Sequence, residues 1–343
     1  MKSMKKAIIW LAALALVAAG CAKPEKTGTN DANKRYFDSW VKINHPGADK
    51  TDLGSYVIDS KDGTGELIGD KGYVRALCTI SGLDGKVAST TDVKMAQQIG
   101  TYDESYYYGP ATWCRLGENL YAGVDELLEG KHVGAHIKAA IPGWLLSLKR
   151  YKNAQGYLDN VTGTDRIYDF TIVDAFDDVT AWELDSLVNY VKANYPGVDT
   201  ADTLDSKTNK WGLYYVCTQP TDLPDSTFAS GSKVYFNYTG RLLNGKVFDT
   251  TIENLAKDEG IYSSSRTYGP TFMNWAESWS DMTMGSGASS VIDGFKFAIS
   301  NMKPHEKGLV IFHSNYGYKY NGSGSAIPAY SPLIFEFELV DED

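Results

Sequence analysis

Gly231-Ser-Lys-Val-Tyr-Phe-Asn-Tyr-Thr-Gly240, followed after three residues by Asn244-Gly-Lys-Val-Phe-Asp-Thr250, is the stretch whose reading decides the fold. Further pieces follow in order: Val291-Ile-Asp-Gly-Phe295, Met302, Asn315-Tyr-Gly317, Ala326-Ile-Pro328 and Leu333-Ile-Phe-Glu-Phe-Glu-Leu339. No piece is specific alone; the ordered set is. The chain also repeats itself. Shifted by 160, residues 85–110 match 245–270 at 12 of 26 positions, ending in Gly109-Pro110 and Gly269-Pro270. Upstream, at a shift of 150, Val41, Lys42, Asn44, Pro46, Gly47 and Asp49 recur as Val191, Lys192, Asn194, Pro196, Gly197 and Asp199. A repeat unit of about 150 residues is a whole domain rather than a solenoid element.

The length of 343 residues exceeds one comfortable core, so two domains are expected. A formal charge of −10 and the lack of a basic stripe exclude nucleic acid as a partner. Lys2, Lys5 and Lys6 precede an apolar run, Ala7 to Ala18, that is too short to span a bilayer comfortably. The run ends in Val17-Ala-Ala-Gly-Cys21, which resembles a bacterial lipobox. That resemblance implies a signal peptide over residues 1–20, lipid on Cys21 and a flexible tether over residues 21–33. Ala22 is not the Asp of an inner-membrane retention signal, so the outer membrane is the expected location. Cys78, Cys114 and Cys217 fit no zinc or redox spacing, and buried free thiols are expected, with a Cys78–Cys114 bridge as the alternative.

Thr180-Ala-Trp-Glu183 reads as a capping box. Leu184, Leu187, Val188 and Val191 then form one helical stripe, ended by Pro196-Gly197. Phe37, Trp40 and Val41 form the same face in the first copy. The helix could pack on its own domain or join the two domains; its duplication with each unit favours packing on its own domain. Phe170, Ile172 and Phe176 alternate with polar residues, with a slip near Val173-Asp174.

The pieces from Gly231 onward resemble the FKBP-type prolyl isomerases. In the first copy, Gly123, the run Gly134 to Pro142 and the run Ile167 to Val173 resemble that family's helix, inner strand and last strand. The resemblance implies an α+β fold, present twice: a twisted antiparallel sheet wrapped on a short helix, with an added N-terminal helix. The expected domains are residues 34–176, degenerate, and residues 177–343, the isomerase. The implied function is prolyl cis–trans isomerisation and folding assistance in the cell envelope, acting on proline-containing segments of exported proteins. The rival is a non-catalytic binding module of the same fold. No cofactor or metal is expected.

Isomerisation breaks no covalent bond. Its barrier, roughly 18–20 kcal/mol, is lost amide resonance as the C–N bond twists. A dry apolar pocket that binds the twisted amide lowers it, so no nucleophile is needed. By resemblance, the catalytic set is Tyr238, Phe248, Asp249, Ile292 and Tyr316. Tyr238 and Phe248 are walls, Asp249 orients polar groups, the Ile292 N–H holds a substrate carbonyl and Tyr316 donates its hydroxyl. Val291, Phe295, Ile327 and Phe335 bind the proline. Two departures stand out. Phe295 replaces the family's Trp floor, and the Phe248-to-Val291 interval is about twice the usual length. Its aromatics, among them Trp275 and Trp279, could form a lid, fill the pocket or build extra core. A related aromatic stretch in the first copy favours extra core. The repeat alignment sets Ile80 against Tyr238, Ala88-Ser89 against Phe248-Asp249, Val124 against Phe295 and Tyr168 against Phe335, so the first copy lacks an aromatic pocket. His132 and His136 read as exposed rather than as metal ligands.

Overall fold

The computed structural model describes residues 30–115, 117, 119–198, 212–223, 226–286 and 291–342. The signal-like segment and Cys21 lie outside them. Two antiparallel seven-stranded sheets follow one another along the chain. The first contains β1 (Asp49–Lys50), β2 (Tyr56–Lys61), β3 (Tyr73–Ser81), β4 (Val87–Thr90), β5 (Ala111–Cys114), β6 (His136–Ile141) and β7 (Arg166–Phe176). Their order is β1-β2-β6-β7-β3-β4, with β5 also on β3. The second contains β8 (Leu213–Gln219), β9 (Lys233–Leu242), β10 (Val247–Thr250), β11 (Thr271–Asn274), β12 (Thr283–Met284), β13 (Lys307–Phe312) and β14 (Leu333–Val340). Its order is β12-β11-β9-β14-β13-β8, with β10 also on β9. Apart from β1 and β12, the two orders are the same. The repeat seen in the sequence is a repeat of topology.

The strands follow from alternation. In β9, Val234, Phe236 and Tyr238 are buried while Lys233, Tyr235 and Asn237 are more exposed, the period of two expected of a pleated strand. The β9–β10 and β3–β4 turns close in the same way. Leu242 N donates to Lys246 O and Gly82 N to Lys86 O, both at 2.9 Å. Gly245 (φ +88°) and Gly85 (φ +81°) take the left-handed conformation that each turn needs. The slip expected near Val173 is a β-bulge: Ala76 pairs with Ile172 and Arg75 with Asp174, leaving Val173 unpaired.

The helices are α1 (Asp31–Asn44), α2 (Val93–Gln98), α3 (Ala122–Asp125), α4 (Ala154–Asn160), α5 (Val179–Asn194), α6 (Glu253–Asp258) and α7 (Asp293–Asn301). In the second copy the core lies between the sheet and α7: Phe295, Ala298 and Ile299 meet Phe236, Val310, Phe312 and Phe337. The opposite face of β13 and β14 is covered as well. Leu187 and Val191 of α5 pack on Tyr214, Leu309, Ile311 and Ile334. This explains why β13 reads Leu-Val-Ile-Phe without alternation: both its faces are buried. In the first copy Phe37 and Val41 of α1 join the main core, Phe37 meeting Trp144 edge-on at 5.7 Å.

The start of α5 differs from the sequence expectation. The N-cap is Asp178, whose Oδ1 accepts from Thr180 N (2.8 Å) and Ala181 N (3.1 Å). Glu183 reaches instead into the second copy. Cys78 and Cys114 are buried free thiols, but Cys217 is exposed, because it lies in the outer half of β8 rather than under a helix. His132 faces Asp62 (3.0 Å) and His136 faces Asp169 (2.8 Å), and no metal-binding cluster exists among the described residues.

Candidate active site

A cavity of about 250 Å³ opens between the second sheet and α7. It is lined by Tyr238, Asp249, Met284, Val291, Ile292, Phe295, Tyr318 and Phe335. Alternation brings Tyr238 (β9) and Phe335 (β14) to the same sheet face, and Val291-Ile292 lead into α7, which supplies Phe295. Phe295 is the floor. Its ring meets Tyr238 at 5.3 Å, Phe335 at 5.1 Å and Phe337 at 4.7 Å, all edge-to-face.

One wall is polar and fully partnered. The Tyr238 hydroxyl donates to Asp249 Oδ2 at 2.6 Å. Arg266 Nη2 donates to the Tyr238 oxygen at 3.2 Å, and Arg266 Nη1 pairs with Asp249 Oδ1. Burial pushes the Tyr238 phenol well above its usual range, and the adjacent Asp249 pushes it further. The phenol therefore stays protonated at any physiological pH. Arg266 balances the carboxylate, so a charge sits at the cavity rim without being left uncompensated. Burial, then Asp249, likewise raises the Tyr318 phenol.

Six of the nine residues singled out in the second copy line the cavity: Tyr238, Asp249, Val291, Ile292, Phe295 and Phe335. The other three do not. Phe248 packs edge-on against Phe335 at 5.5 Å, behind the wall. Ile327 is buried in the core. Tyr316 rests on His313 at 5.0 Å, and the tyrosine in the lining is Tyr318, two residues later. Of the long interval's residues, only Met284 lines the cavity among the described residues. Trp279 packs on Phe297 (5.8 Å) and Trp275 stands near Phe228 (6.5 Å), while Met273 and Met282 are buried in the core. These aromatics neither fill nor cover the cavity.

Arg266 escaped the sequence reading. It lies in a loop without periodicity, 17 residues after Asp249. The repeat held the signal: at the 160 shift, Arg266 replaces Tyr106 of the first copy.

Glu183 was also misread. Its side chain is 1 % exposed, and its oxygens accept from Ser314 N (2.5 Å) and Ser314 Oγ (2.6 Å). Ser314 begins the loop that carries Tyr318. Burial raises the Glu183 carboxyl to about 7, against the opposing pull of the two Ser314 hydrogen bonds. The far part of the same loop is held by the first copy. Tyr107 N donates to Ser325 O at 2.8 Å, and Tyr330 packs edge-on against Tyr73 at 5.4 Å.

The hydrogen bonds between strands correct the copy-to-copy alignment. Tyr238 N donates to Thr251 Oγ1, and Cys78 N donates to Thr91 Oγ1. Cys78, not Ile80, is thus the counterpart of Tyr238, and Ile80 is the counterpart of Gly240. Gly240 opposes Phe335 and Ile80 opposes Tyr168. Gly109 N and Gly269 N each donate to the matching threonine carbonyl, Thr91 or Thr251, at 2.9 Å.

The sequence profile described as FKBP-type peptidyl-prolyl cis-trans isomerase matches residues 225–340, the region of the second sheet. FK506-binding protein 1 of Dictyostelium discoideum is 31 % identical over 110 residues, which cover 32 % of this chain and 80 % of that protein. The FK506-binding protein of Neisseria meningitidis serogroup B is 27 % identical over 110 residues, covering 32 % of this chain and 79 % of that protein. A peptidyl-prolyl cis-trans isomerase structure from Pseudomonas syringae pv. tomato aligns at 23 % identity with a TM-score of 0.32, over 48 % of this chain and 92 % of that one. With its aromatic cavity in the matched region, the chain belongs to the FKBP-type peptidyl-prolyl cis-trans isomerase family.

Proposed function

We propose that the second copy catalyses cis–trans isomerisation of proline peptide bonds, that the first copy does not, and that the protein serves exported polypeptides while anchored by lipid on Cys21. The observation that carries the reading is the cavity: four aromatic rings around a space of about 250 Å³, with a pinned phenol on one side. A proline ring fits against Phe295. The amide twists among apolar walls, where loss of its dipole costs less than in water. The Tyr238–Asp249–Arg266 network keeps the polar wall rigid, so its atoms need no reorganisation as the bond turns.

A protease-coupled assay of a proline-containing tetrapeptide with the full chain tests this. The chain should accelerate isomerisation, Phe295→Leu should reduce the acceleration by more than tenfold, and Val124→Ala in the first copy should leave it unchanged. A folded chain no faster than the uncatalysed reaction overturns the enzyme reading and leaves the binding module. One feature favours that rival: Phe248 lies behind the wall, so the cavity has fewer aromatic sides than the sequence suggests. Mass spectrometry of the mature N-terminus tests the anchor, and an unmodified end other than Cys21 removes it.

A further inference from the structure

A second cleft lies between the two copies, away from the aromatic cavity. It has a volume of about 170 Å³. Its walls come from both copies: Arg75, Tyr107 and Pro110 from the first, Trp182 at the start of α5, and Leu242, Pro328 and Tyr330 from the second. No Asp or Glu lines it.

Arg75 is the unusual member. Its guanidinium lies over the Trp182 ring, 4.6 Å from the centroid, at the end of a column of rings. Trp182 stacks on Phe176 at 5.0 Å, and Phe176 on Tyr73 at 5.8 Å. Trp182 is fixed in turn, since its Nε1 donates to Asp174 Oδ2 at 3.0 Å. Arg75 Nε is buried and has no hydrogen-bond partner, and Arg75 forms no ion pair among the described residues. The neighbouring Tyr107 phenol is raised by burial and held back by the Arg75 charge and by a hydrogen bond from Arg75, which leaves Nε as the unpartnered donor of the guanidinium. In a chain of net charge −10, carboxylates are abundant, yet none among the described residues pairs with this cation. A buried donor left unmade costs about 1–3 kcal/mol, more for a charged group. A guanidinium matches a carboxylate in a planar, two-bond geometry.

We infer that the cleft between the copies is a binding site for a carboxylate with a short apolar body, which pairs with Arg75 and packs against Trp182, Leu242, Pro328 and Tyr330. The rings supply a preformed apolar slot and the cation supplies the selectivity. The carboxylate comes either from a free small molecule or from the end of a polypeptide. The site does not depend on isomerase activity, although Pro328 and Tyr330 belong to the segment that follows Ile327.

The test uses the full chain, with sodium butyrate as probe and butyramide as its uncharged match, at constant ionic strength. The Arg75 Nε–Hε signal is followed by NMR. Butyrate should shift it saturably, and butyramide should not. Arg75→Met should weaken butyrate binding at least tenfold, read by the indole signal of Trp182. Where that variant does not fold, Asn244→Asp, which places a negative charge on the cleft wall, should weaken binding instead. A pentapeptide with a free C-terminus, compared with its amide, distinguishes the sources: tighter binding of the free acid than of butyrate assigns the site to polypeptide ends, and the reverse to small molecules. A linear response to butyrate, an equal response to butyramide, or binding unchanged in a folded variant overturns the inference.

Discussion

The two copies solve the same packing problem with opposite distributions of volume. In the second, Gly240 leaves room above the sheet, and the rings of Phe248 and Phe335 use it. A Cβ at Gly240 would lie 2.5 Å from Phe248 Cε2 and 2.9 Å from Phe335 Cε1. In the first, that backbone position carries Ile80, and the position of Phe248 carries Ala88. Bulk has moved from one strand to its neighbour. Tyr168, the counterpart of Phe335, is 5 % exposed and neighbours Cys78 and Tyr121. Those residues stand where Tyr238 and Ile292 frame the cavity of the second copy. Burial also holds the Cys78 thiol up at about 12, so it is inert. One arrangement keeps a hollow and the other closes it, on the same strand order.

The sharpest way to break this comparison is to exchange the volumes. Gly240→Ile should destabilise the chain by more than about 3 kcal/mol, the upper end for overpacking, because it strikes two rings. Adding Phe248→Ala should recover about 1–3 kcal/mol, the coupling expected of residues in contact. Isomerisation should stay lost in both variants. Denaturant unfolding with a coupled activity assay reads all three. Additive destabilisation would mean that the two copies do not trade volume as described.

The two copies also differ in a buried carboxylate, Glu183, which holds the loop start of the second copy. In the first copy the equivalent loop start, Gly143 N, donates to Asp165 Oδ1 at 2.8 Å, so the N-terminal helix meets that loop through the Phe37 ring on Trp144 and supplies no carboxylate to it. Glu183 has a folded-state value of about 7, above the ordinary 4.5. The folded chain therefore binds more protons than the unfolded one between these values. The contribution is fully present below about pH 4.5 and is lost as pH rises through 7, by at most about 3 kcal/mol. Glu183→Gln keeps an acceptor for Ser314 N and removes the titration. The wild type minus Glu183→Gln stability difference should fall across pH 4.5–7, and a flat difference would show the carboxyl to be ordinary.

The smallest effect distinguishes two tyrosines. Tyr318→Phe should cost about 0.5–1.5 kcal/mol in transition-state binding, or two- to tenfold in kcat/KM. Tyr316→Phe should cost less, since its ring rests on His313 outside the cavity. The reverse order would restore the sequence assignment of Tyr316 as the donor.

Most of the fold was legible because strand alternation and turn glycines are local. Even the bulge at Val173 showed as a break in period. The copy-to-copy register of β3 and β9 is legible in the 160 shift, which sets Cys78 against Tyr238 and Ile80 against Gly240. Setting Ile80 against Tyr238 is a slip of two, which keeps the same strand face and so breaks no alternation. The hydrogen bonds from Cys78 N to Thr91 Oγ1 and from Tyr238 N to Thr251 Oγ1 agree with the shift. Arg266 and Glu183 were missed because their partners lie 17 and 131 residues away. Tyr316 was chosen on the strength of the following Gly317, but the short helical turn over Ser314–Tyr316 carries its ring towards His313.

Each sheet finishes at one end in a strand of two residues, β1 in the first and β12 in the second. An edge that short offers too few free backbone groups to template another strand. A protein that handles extended polypeptides, as proposed above, risks recruiting them edge to edge and being carried into their aggregates. Blunted ends shorten the backbone rail on which a passing segment could grow at that side of each sheet. Engagement there is left to side chains and cavities, from which a segment can leave once its proline has turned.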